Sequence, residues 1–171
     1  MSRLKHPKQK GSEFERKVAK ALTDWSGYEF HRTPMSGALH WDNDSRVVSD
    51  IVPPESLSGW PFSIECKNVE CSWDIDAFIR GTATTISSHW VQASNDARSE
   101  GLVPLLVFTK NYHDSYVMMN IDTYHTLSAY SSLSSDWASI GRGGDSYLIT
   151  SMSGFLGSYT CDQVIDAFRK S

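Results

Sequence analysis

The stretch SDIVPPESLSGWPFSIECKN, residues 49–68, holds two short apolar segments separated by a proline-rich turn, and each segment carries charge. In FSIECKN (62–68) the residues alternate: Phe62, Ile64 and Cys66 share one face of a strand, Ser63, Glu65 and Lys67 the other. That spacing sets Glu65 and Lys67 about 7 Å apart on one side. RVVSDIV (46–52) reads as a second strand, stopped by Pro53-Pro54, with Asp50 on the face of Val48 and Val52. If the two strands pair across the 53–61 turn, Asp50 and Glu65 come side by side.

Two half-buried carboxylates repel and raise one another's pKa unless a cation neutralises them. A hard divalent ion with oxygen ligands answers that need; Mg²⁺ keeps several waters in such a site, and Mn²⁺ is its natural substitute. A water deprotonated there, with help from Lys67, would attack a phosphodiester phosphorus. The plainer alternative is a surface ion pair between Asp50 and Lys67, worth under about 1 kcal/mol.

Outward from this hairpin, Phe14, Val18, Ala21, Leu22 and Trp25 recur at helical spacing, which predicts a helix from Gly11–Ser12 to Gly27. YEFHRT (28–33) is a short strand, and PMSGALHWDNDS (34–45) a loop of turn formers. Residues 72–84 are read as a linker. A second helix is expected over 85–100, with Ile86, Trp90, Ala93 and Ala97 on one face and Gly101 as its stop. LVPLLVF (102–108) has the composition of a strand covered on both faces, and SYVMMNI (115–121) of another. Of the last 50 residues only SYLITS (146–151) is read as a strand, and Thr160 as the cap of a final helix with Gln163 completing a capping box. The order predicts an α/β fold with a mixed central sheet flanked by helices, rather than a doubly wound one.

Length implies one domain: a basic arm over 1–10, then a unit over 11–171 with a core to 121 and an extension over 122–171. No apolar run is long enough to span a membrane, and MSRLKHPKQK lacks the apolar segment of a secretory signal. Three cysteines without metal-ligand spacing suggest neither a disulfide framework nor zinc, so a cytoplasmic setting is expected. Net charge is −4, yet residues 1–20 carry +5 and leave −9 to the rest. Lys8 and Lys10 in that arm are candidate phosphate contacts, with a solvated leader as the alternative.

Taken in order, GSEFER on the first helix, RTPMSGA after a strand, SDI and then IECK resemble the PD-(D/E)XK nuclease superfamily, and within it the motifs of archaeal-type and phage Holliday-junction resolvases. The likeness covers about residues 10–121. It implies a restriction-endonuclease-like sheet and a Mg²⁺-dependent endonuclease acting on DNA, on four-way junctions in particular, as a homodimer in the cytoplasm of a host. Position by position it implies that Asp50, Glu65, the backbone carbonyl of Cys66 and Glu15 hold the metal, and that Lys67 orients the attacking water. Ser36 and Gly37 resemble a loop that contacts the DNA backbone, with a plain turn as the alternative; Arg32 beside them is a candidate phosphate clamp. Gln92 resembles a glutamine near the active site, or is a surface helix position; and Lys110, at the end of its strand, is a candidate phosphate contact or a solvated strand end. Glu15 has a competing reading, since Ser12-x-x-Glu15 is also a capping box. Its angle, about 75° from the centre of the apolar stripe against about 125° for Glu13, favours it as the acid that leans on the sheet. Asp42 and Asp44 are rival acids in a loop. Ser49 departs from the Pro or Gly expected before Asp50. A restriction- or repair-type nuclease on duplex or single strands, and a DNA-binding module that no longer cuts, remain the competing functions.

Overall fold

The structure, a computed structural model, describes residues 7–33, 49–69, 85–110, 113–134, 136–142 and 144–169. In chain order it contains α1 (Pro7–Ser26), β1 (His31–Arg32), β2 (Ile51–Val52), β3 (Phe62–Val69), α2 (Thr85–Ser99), β4 (Val103–Lys110), β5 (Ser115–Asn120), α3 (Ile121–Ser128), β6 (Trp137–Arg142), β7 (Asp145–Ser151), α4 (Met152–Ser158) and α5 (Cys161–Phe168). Among the described residues the seven strands form one sheet in the order β1-β2-β3-β4-β5-β7-β6. Only β3 and β4 run parallel, in register from Phe62 opposite Val103 to Val69 opposite Lys110. A parallel neighbour needs a crossover, and α2 lies within it.

Apolar side chains cover the sheet on both faces. On one, Phe14, Val18 and Leu22 of α1 pack with Ile64, Leu105 and Val107 of the sheet, and with α3, α4 and α5. On the other, Ile86 and Trp90 of α2 meet Leu106, Phe108, Met118 and Ile149. Strand β4 feeds both layers, and Leu105 to Phe108 are all at most 3% exposed, as an apolar run without alternation requires. The expected mixed α/β architecture is therefore the observed one.

Helix α1 begins at Pro7, four residues before the expected start at Gly11. Proline's missing N–H costs nothing in a first turn, and its fixed φ suits a helix. The correction also removes the Ser12–Glu15 capping box, because Ser12 lies inside the helix. At the other end Gly27, with φ of +77°, donates its N–H to Thr23 O at 2.9 Å and closes α1 as expected. The 53–61 turn uses Gly59 at φ +82°, where a Cβ would also meet Ile165 at 3.3 Å.

Elements α3, β6 and α4, for which no signal was read, occupy the C-terminal part. Strand β7 and the Thr160 cap of α5 stand as expected, the capping box with both of its bonds at 2.9 and 3.2 Å. No helix among the described residues is long and apolar enough to cross a membrane.

Candidate active site

Strand β2 has two residues and a single ladder partner in β3, Ile51 opposite Ile64. Asp50 immediately precedes β2, and its carboxylate lies close enough to Glu65 of β3 to raise that acid's pKa. Both side chains belong to residues only 6% exposed. The Asp50 N–H donates to Ile64 O at 2.9 Å, and its Oδ2 accepts from the Cys66 N–H at 2.8 Å. The first carboxylate is thus tied to the strand that carries the second.

Alternation along β3 puts Lys67 on the side of Glu65, and its Nζ lies 2.5 Å from Glu65 Oε1. Opposing effects meet at this acid. Burial raises its pKa most and Asp50 raises it further; Lys67 lowers it, and Asp96 of α2 adds a smaller rise. Burial and the neighbouring acids win, and Glu65 sits at about 7 against the ordinary 4.5. The buried Cys66 thiol is likewise pushed well up, by burial first and then by Asp50, Glu15 and Glu65. Three carboxylates from α1, the residue before β2, and β3 therefore act on one buried point.

Glu15 faces this region as its helical angle predicts, whereas Glu13 is exposed. It forms an ion pair with Arg32 of β1, whose Nε donates to Glu15 Oε2. The expected phosphate clamp is thereby placed beside the acids and in contact with one of them. Lys10 is half-buried on α1, and Gln92 is exposed on α2. Ser36, Gly37, Asp42 and Asp44 lie outside the described residues, as do the side chains of Lys8 and Lys110.

The structure adds groups that motif reading passed over. Burial and the Lys67 ammonium push the His89 imidazole down, and Asp96 acts on Glu65, so one flank of α2 faces the acid pair. Their seven-residue spacing beside the Ile86–Trp90–Ala93–Ala97 stripe was the available signal. Thr33, Ser49 and Ser63, all buried, form hydroxyl contacts around Asp50.

Among the described residues no three His, Cys, Asp or Glu side chains form a group able to hold a metal ion. A site of two carboxylates and a carbonyl, completed by water, is nevertheless within the habit of Mg²⁺.

A family described as "Phage putative PDDEXK endonuclease" matches residues 6–166 of the chain. Among solved structures, the chain is similar to Hjc of Archaeoglobus fulgidus, a Holliday junction resolvase from an archaeal hyperthermophile, at 15% identity and a TM-score of 0.40. That match covers 94% of this chain and 99% of the other. No curated protein matches the chain.

Proposed function

The chain belongs to the PDDEXK endonuclease family of phage and is a nuclease by that membership; from this premise we propose that it cuts DNA by metal-assisted hydrolysis, with Mg²⁺ as the ion and Mn²⁺ as a working substitute. The observation that carries the reading is the buried acid pair Asp50–Glu65, with Lys67 two residues on and Glu65 raised to about 7. An acid kept at that pKa is poorly accommodated in the protein alone and gains from a cation.

Asp50, Glu65 and the Cys66 carbonyl would hold the ion, with Glu15 joining its shell through water, and the bound ion would supply an acidified water and charge neutralisation at phosphate. The Cys66 N–H fixes the orientation of the Asp50 carboxylate. Lys67, beside Glu65, orients the attacking water and stabilises charge that develops on the phosphate oxygens. Arg32 holds Glu15 through Nε, and a guanidinium with five donors can also grip a phosphate oxygen. Ser36, Gly37 and Gln92 are proposed DNA contacts on the strength of the motifs, Lys8 and Lys10 on the charge of the basic arm, and Lys110 on its place at the end of β4.

The RTPMSG and IECK motifs support the four-way junction as substrate, with a two-fold dimer placing paired nicks. The test incubates purified protein with four-way junction, plain duplex and single-stranded DNA, in Mg²⁺ or in EDTA. Paired nicks confined to the junction and abolished by EDTA are expected. Equal cutting of duplex replaces the junction reading with a restriction- or repair-type nuclease, and metal-independent binding without cutting replaces it with a binding module.

A further inference from the structure

Ser49 and Ser63 are 3% and 4% exposed, and Ser49 Oγ donates to Ser63 Oγ at 2.8 Å. Ser49 precedes Asp50, and Ser63 lies two residues before Glu65 on the same face of β3. On the opposite side Thr33 uses both of its donors: its N–H reaches Asp50 O at 2.9 Å and its Oγ1 reaches Ser49 O at 2.6 Å. Asp50 is therefore gripped from the residue after β1 and from β3 at once. The grip is needed because β2 offers one ladder pair to β3, and a one-residue slip would turn Asp50 to the other face.

We propose that the buried Ser49–Ser63 hydroxyl pair, backed by Thr33, is a positioning device that fixes Asp50 beside Glu65 for metal binding; the inference rests on the metal-site reading above. Two small apolar residues would fill the same space. What the hydroxyls add is direction, since a hydrogen bond is lost on a shift that packing tolerates. The serines donate nothing to substrate and act only through Asp50.

The full chain carrying Ser49→Ala, Ser63→Ala, both together, or Asp50→Ala is titrated with Mn²⁺ by calorimetry, and thermal unfolding is followed alongside. Each single hydroxyl variant should weaken Mn²⁺ binding about tenfold, and the double variant no more than either, because each deletes the same bond. The double variant should regain most of the stability that a single one loses, because it leaves no buried hydroxyl without a partner. It also provides the answer if a single variant fails to fold. Normal Mn²⁺ affinity in the double variant, or affinity that follows unfolding temperature across all three, overturns the positioning role. Normal Mn²⁺ affinity in Asp50→Ala overturns the metal-site reading itself, whatever the serines do.

Discussion

Along β3, Phe62, Ile64 and Cys66 turn towards α1 while Ser63, Glu65 and Lys67 turn towards α2, and the two rows differ in what burial does for them. Phe62 and Ile64 are 1% and 2% exposed, Ser63 and Glu65 4% and 6%. On the α1 side, burial of each large side chain contributes about 1.5–3 kcal/mol to folding. Phe62 also meets Trp60 edge-on at 5.6 Å and Phe168 at 5.4 Å. On the α2 side, burial of Glu65 costs stability whenever it is ionised, and Lys67 offsets only part of that cost. One strand thus carries a row that stabilises the fold and a row that the fold supports at a cost, which is how sites that need strained electrostatics are held.

The largest expected effect breaks this comparison from its polar side. Glu65→Ala should lower kcat for DNA cleavage at least about 10³-fold, roughly 4 kcal/mol of barrier, while the protein stays folded by circular dichroism. Phe62→Ala is the mirror variant. It should cost about 3–5 kcal/mol of stability in denaturant titration and leave the kcat of the folded fraction near that of the unmutated chain. If the outcomes are exchanged, the division between the two rows is wrong.

A third prediction sharpens the comparison through pH. Glu65 is raised in the folded protein to about 7 from 4.5, with Asp50, Lys67 and Asp96 as its charged surroundings. The folded state therefore holds a proton that the unfolded chain has released over that window. Stability should fall as pH rises from 4.5 to 7, by about 3 kcal/mol when metal is kept away with EDTA. Urea titrations across this range check it. Glu65→Gln, which cannot ionise, should flatten this part of the profile, and an unchanged slope in that variant would assign the loss to another group.

How far the sequence could be read follows the same division. Strand alternation in FSIECKN and the unbroken apolar run of β4 announced the paired strands, because their period or composition has few other solutions. The acids Asp50, Glu65 and Glu15 were legible from motif order and helical angle. The start of α1 was not, because the apolar stripe begins at Phe14 and the polar turn Pro7–Lys10 before it carries no periodic signal. Helix α4, MSGFLGS, contains two glycines and low intrinsic propensity; it stands because Met152 and Phe155 are buried and Ser151 caps it. Edge strand β6 shows only Ile140 buried among its described side chains, so it left no two-sided pattern to find. The Ser49–Ser63 contact joins residues 14 apart through a register that no single segment specifies.

The smallest effect tests how independent the two rows are. Ile64 lies at the junction: its side chain belongs to the α1-side core, while its carbonyl accepts from the Asp50 N–H at 2.9 Å. Ile64→Val removes one methylene and keeps the backbone acceptor, so the expected cost is about 1 kcal/mol of stability. Cleavage rate and Mn²⁺ affinity should be unchanged at a temperature where the variant is folded. A fall in Mn²⁺ affinity larger than that small loss would mean that packing behind β3 reaches Asp50 through the Ile64 peptide. The site would then depend on core volume as well as on hydrogen bonds, because a close-packed interior transmits a missing methylene as a shift of its neighbours.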